Sequence, residues 1–141
     1  MDRAAATTGL DVVASGEAWC VARNAHVLVV VLDGDITDEV SATWQAAVQN
    51  ELDEHGAPSF GVVVAIDAIS HTSLGNRVKT ASFTKRSAQA MKKLVMIADD
   101  HGGVVINAVL RVARIDNVRF IDRSQAARVI AALATGLDPF S

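Results

Sequence analysis

The chain has 141 residues, 50% hydrophobic and 21% charged, with a formal net charge of -3. That length suits one domain able to bury roughly two thirds of its unfolded surface, and the composition excludes disorder for most of it. A single cysteine, Cys20, excludes an internal disulfide, and an acidic balance argues against a dedicated nucleic-acid binder.

Residues 1–12 show no apolar pattern and read as a flexible tail, residues 13–137 as the domain, and residues 138–141 as a short C-terminal tail. A short strand is expected around Trp19 to Asn24. The run HVLVVVL, residues 26–32, is β-branched and fully apolar, as in a buried strand, and Gly34 breaks it. It is far shorter than the roughly 20 residues that span a bilayer, so no membrane insertion is expected. Thr37 can cap the next helix, with Asp38 and Glu39 in its first turn. Val40, Trp44, Val48 and Leu52 form its apolar stripe, and Gly56 with Pro58 stops it.

FGVVVAIDAI, residues 60–69, reads as a central strand, and residues 74–91 as a helix with Leu74, Val78 and Ala81 on its packing side. LVMIA at 94–98 is a further buried strand. Residues 99–103 make a turn into an almost wholly apolar helix at 104–115, where Asn107, Arg111 and Arg114 draw a narrow polar line. NVRFI at 117–121 is the last strand. Asp122 and Gln125 then resemble a capping box that opens a helix with Ala126, Val129, Ile130 and Leu133 on its core face, ended by Gly136. Strands alternating with helices imply an α/β fold with a mostly parallel central sheet and right-handed crossovers.

Charge is segregated along the chain. From 24 to 76 there is no Lys or Arg while Asp33, Asp35, Asp38, Glu39, Glu51, Asp53, Glu54 and Asp67 all occur; from 68 to 98 there is no acid while Arg77, Lys79, Lys85, Arg86, Lys92 and Lys93 occur. An acidic face and a basic face follow.

Three stretches carry a resemblance to a known family: VLVVVLDGDITDEVSATW, VVVAID, and VLRVARIDNVRFIDRSQAARVIAAL. Their order and spacing over about residues 17–135 resemble the STAS domain, the fold of bacterial anti-sigma factor antagonists and of the cytoplasmic tails of sulfate transporters. The resemblance implies a single STAS-like domain that acts without catalysis. It would need no cofactor or metal, and would bind a regulatory protein such as a kinase-like anti-sigma factor. Binding in the family is cancelled by phosphorylation in a switch loop that typically reads Asp-Ser-Ser-Gly-Leu. Here Ser70-His-Thr-Ser-Leu-Gly75 follows Asp67, so the loop's Asp is missing and the order of Ser and Gly is changed. Thr72 or Ser73 is the matching hydroxyl, and either can also serve only as a helix cap. Asp67, Ser70, His71, Leu74, Arg77 and Lys79 are the candidate partner-binding residues.

A hydrolase is disfavoured because His71 is adjacent to Thr72 in sequence and no G-x-S-x-G elbow occurs. The four histidines lack ligand spacing for zinc. Trp19, Trp44 and Cys20 read as core residues. The apolar helix at 104–115 is expected to support a homodimer through Val105, Asn107, Val109, Arg111 and Val112. Its composition also leaves open a carrier of a small apolar or lipid ligand. One free thiol and no signal segment suit the cytoplasm.

Overall fold

The computed structural model describes residues 1–98 and 117–140. A short helix α1 (Arg3–Ala6) precedes β1 (Asp11–Ser15), β2 (Trp19–Arg23), β3 (Val27–Leu32) and β4 (Asp35–Thr37). Then come α2 (Asp38–His55), β5 (Phe60–Ala65), β6 (Ile69–His71), α3 (Leu74–Gln89), β7 (Lys93–Ala98) and β8 (Val118–Asp122). A single 3-10 turn, Arg123–Gln125, leads into α4 (Ala126–Ala134).

Six strands form one sheet in the order β1-β2-β3-β5-β7-β8. The first two pairings are antiparallel; β3-β5, β5-β7 and β7-β8 are parallel, so the α/β expectation of a mostly parallel sheet with alternating helices holds. The strands expected at 26–32, 60–69, 94–98 and 117–121 supply its parallel part, the second only as far as Ala65. β4 and β6 pair separately as a two-stranded parallel ladder.

Alternation along the strands divides the core into two layers. Val27, Val29 and Val31 of β3, with Phe60, Val62 and Val64 of β5, point to the face covered by α1 and α4, where they meet Ala6, Ala126, Val129, Ile130 and Leu133. Leu28 and Val30 point the other way, to Trp44 and Val48 of α2 and Phe83 of α3. Trp19, Trp44 and Cys20 are all buried.

Several boundaries differ from expectation. Strand β1 has a burial pattern that is exposed at nearly every position, so its pairing with β2 leaves no apolar signal in the sequence. The run at 60–69 is two elements: β5 stops at Ala65, Asp67 takes a left-handed φ of 52°, and the chain turns into β6. Asp is among the few non-glycine residues that tolerate this conformation. In α3 the packing side is Ala81, Phe83, Thr84 and Ala88, while Leu74 is 77% and Val78 49% exposed. Both lie in the first turns of α3, whose buried residues begin only at Ala81.

Both terminal segments make contacts with the domain. Asp2 caps α1, Ala6 is fully buried against the core with Leu10 beside it, and Arg3 binds Asp33 through Nε at 2.7 Å and a second nitrogen at 2.6 Å. At the other end Lys93 Nζ donates to Asp138 at 2.8 Å, and Phe140 packs on the core under the cations of Lys93 and Arg119. The turn at 99–103 and the helix expected at 104–115 lie outside the described residues.

Candidate functional site

Beside the main sheet, the small β4–β6 ladder sets the loop that follows β6. Ile36 is buried and fixes β4, and the register Asp35 to Ile69, Ile36 to Ser70, Thr37 to His71 then places residues 70–73 against the start of α2. Thr37 caps α2, its Oγ1 accepting from Val40 N at 3.2 Å. Ser73 caps α3, its Oγ accepting from Asn76 N at 3.2 Å. These are the expected uses of Thr and Ser, which satisfy N-H groups with no partner inside the helix.

The two caps are locked together by one carboxylate. Asp38 accepts from Ser73 N and from Ser73 Oγ, each at 2.8 Å. The Ser73 backbone N-H, then its hydroxyl, hold the Asp38 carboxyl below the usual carboxylate range, with the Lys79 charge a smaller contribution. Thr72 is engaged differently: its Oγ1 lies 3.0 Å from Ser70 Oγ and accepts from Arg77 Nε at 3.3 Å. His71 Nδ1 pairs with Asp35 rather than with either hydroxyl.

Of the residues singled out in the sequence, Ser70, Thr72 and Arg77 therefore form one cluster and Ser73 belongs to another with Asp38. Asp67 is drawn away, to Arg123 at 3.0 Å. Lys79 is exposed. Apolar surface flanks the loop on both sides: Ile69 is 59% exposed before it, Leu74 and Val78 after it. Sequence reasoning missed Asp38, Asp35 and Ile69 as parts of this site. Asp38 carried only a helix-dipole signal, and nothing local marks Asp35 or Ile69.

Other groups carry less. Glu51, Glu54 and His55 offer ligand atoms within 4.8 Å of one another, but Glu51 is held by Arg23 at 3.1 Å. Burial pushes the Cys20 thiol up, which opposes thiolate chemistry. A cavity of about 30 Å³ lies between the sheet and α2 and α3, bordered by Trp44, Val48, Phe83 and Met91. That is room for two or three waters at most, not an acyl chain. The parallel strands follow one another in sheet order from β3 to β8, so these strands form no reversal of the kind that opens a nucleotide crevice. Among the described residues no helix is long and apolar enough to cross a membrane.

The residues predicted to support self-association, Val105, Asn107, Val109, Arg111 and Val112, lie outside the described residues. Compared with family models, with curated proteins and with solved structures, the chain matches none. The reading of the site rests on its geometry and on the sequence resemblance.

Proposed function

We propose that the protein is a non-enzymatic, cytoplasmic regulatory module that binds another protein through the β6–α3 loop and the first turns of α3, in the manner of a STAS-domain anti-sigma factor antagonist. The observation that carries this is an exposed apolar side chain on a fastened loop. Leu74 stands 77% exposed directly after Ser73, while the backbone under it is held by Asp38, Ser73 and Asn76. A leucine so exposed is not used by the core, and a preorganised loop loses little entropy on binding. Ile69 and Val78 extend the apolar surface, and Arg77 and Lys79 border it.

Charge on the loop would act as the switch, and the two hydroxyls differ. A phosphate on Ser73 would face the Asp38 carboxylate and part the two helix caps. A phosphate on Thr72 would meet Arg77 and gain a charged hydrogen bond. Ser73 is thus the disruptive position and Thr72 the tolerated one. The partner is a regulatory protein of the kinase-like class.

Site-specific photo-cross-linking tests this in the source cell. A cross-linkable residue at position 74 should give one discrete adduct containing such a regulator. The same residue at exposed Arg128 of α4 should give none. An adduct pattern identical at both positions overturns the assignment of this surface. With the partner in hand, Thr72→Asp and Ser73→Asp measured by calorimetry check the switch: equal affinity for both variants and wild type removes it.

A further inference from the structure

Helices α2 and α3 lie side by side on one face of the sheet, and their contacts fix their relative direction. Asp38 at the start of α2 bonds Ser73 at the start of α3, and seven residues further along each, Gln45 Nε2 donates to Thr80 Oγ1 at 2.7 Å. The helices therefore run parallel and in step. Their inner sides join through Trp44 and Phe83, whose rings meet edge-on at 5.9 Å. Their outer sides are exposed.

Those outer sides have opposite charge. α2 contains Asp38, Glu39, Glu51, Asp53 and Glu54 with no Lys or Arg, whereas α3 contains Arg77, Lys79, Lys85 and Arg86 with no acid. Among the described residues no ion pair joins the two helices, and none of the four α3 cations takes part in one. Glu51 is committed to Arg23 and Asp38 to Ser73, which leaves Glu39, Asp53 (accepting from Gln49) and Glu54 (beside His55) as the outward acids. Among the exposed residues between the charges, Ala42 and Ala46 on α2 and Ser82 on α3 are small, beside the larger Gln49 and Asn50 of α2 and Val78 of α3.

We propose that this face pairs with a second copy of itself about a two-fold axis parallel to the helices, so that α2 of each protomer lies on α3 of the other. The charge pattern selects both the occupant and the axis. A two-fold axis in the same plane but across the helices would set acid on acid and base on base. An extended polyanion, such as duplex nucleic acid or an anionic bilayer, would meet the α2 carboxylates about 8–10 Å from the cations it seeks. A second copy presents the required complement, an acidic strip beside a basic one at the same spacing.

The parallel axis also keeps the charges at matching heights. At about 1.5 Å per residue, Asp53 lies about 12 Å beyond the Gln45–Thr80 level, and Lys85 and Arg86 about 8–9 Å beyond it. Glu39 lies about 9 Å before that level and Arg77 about 5 Å before it. Long side chains close both offsets, and the small residues between let the helices approach. The contact shares Arg77 with the border of the loop surface but does not use the loop hydroxyls.

Sedimentation equilibrium of the full chain with paired charge reversals tests this. The reversals are Lys85→Glu with Arg86→Glu on α3, and Asp53→Lys with Glu54→Lys on α2, each checked for fold by circular dichroism. The wild type should form a dimer in low salt and weaken as salt screens the strips. Each reversal alone places like charges on both copies of the contact and should weaken the dimer by on the order of tenfold or more. An equimolar mixture of the two variants should associate again, because every strip then meets its opposite. One chain carrying all four substitutions should recover too. A wild type fixed at the 14.8 kDa monomer mass overturns the proposal, even if it binds anionic vesicles or nucleic acid. So do single reversals that dimerise like wild type, or a mixture that stays monomeric.

Discussion

On one side of the sheet α1 and α4 cover a cluster in which Val27, Val29, Val31, Val64, Val95, Ile97, Val129 and Leu133 are completely buried. On the other, α2 and α3 cover a smaller cluster with a cavity in it. There the Trp44 indole N-H is buried with no hydrogen-bond partner among the described residues. The first layer is the larger and mostly aliphatic, with Phe60 among its buried residues. The second contains the cavity and presents the β6–α3 loop, an exposed leucine and two helices of opposite charge outside. The proposed recognition surfaces thus lie on the face opposite the larger cluster. A surface layer can then vary in charge and shape without disturbing the packing that holds the sheet.

The sharpest way to break that contrast is a cavity in each layer. Leu133→Ala, in the first layer, should cost about 2–5 kcal/mol in urea unfolding, since truncating a fully buried leucine leaves a void that its neighbours only partly fill. Trp44→Phe, in the other, should cost about 1 kcal/mol or less, because removal of an unpartnered buried donor offsets part of the lost packing. Equal costs would erase the distinction.

Deletion of residues 1–10 should come next. Ala6 and Leu10 pack on the first layer and Arg3 clamps Asp33, so loss of about 2 kcal/mol is expected, or about 4–8 °C in the melting temperature. An unchanged melting temperature would make this segment an ornament of the fold. At the loop, Ser73→Ala should cost about 1 kcal/mol through the lost cap, with Thr72→Ala costing less. The reverse order would contradict the assignment of Ser73 as the cap that Asp38 secures.

The smallest expected effect is on acid stability, and it touches both faces. Asp38 is held low by Ser73, Asp122 by the Ser124 hydroxyl and backbone, and Asp138 by Lys93. In each the folded value lies below the unfolded one, so the unfolded chain binds more protons as pH drops beneath about 4. Their contribution is complete above that pH and drains away as pH falls through the folded values. Urea midpoints at pH 5 and pH 3 measure it, and Asp138→Asn should reduce the difference between them.

Much of the architecture is legible because it depends on short-range pattern. The apolar runs at 27–32, 60–65 and 94–98, rich in β-branched residues, carry no polar side chain, as suits strands covered on both faces. Thr37 and Ser73 cap the helices that follow them, and Gly56 and Gly136, at φ of 73° and 86°, sit just beyond the ends of α2 and α4. The core face of α4 follows from its spacing alone. The opposite charges of α2 and α3 are equally plain in the composition of each segment.

What only the tertiary structure decided is which of these segments meet. Leu74 and Val78 have helical spacing that suits a core, yet they are exposed because the buried contacts of α3 begin beyond them, at Ala81. Asp38 looks like an ordinary first-turn acid until Ser73 arrives from 35 residues away. Strand β1 and helix α1 have no apolar pattern of their own, because one is held by backbone hydrogen bonds to β2 and the other by a single buried alanine and an arginine. Periodicity reports what each segment can bury, whereas contacts between distant segments depend on how the sheet brings them together. That is why the long apolar strands and the caps could be read from the sequence while β1, the lock on the loop and the facing of the two charged helices could not.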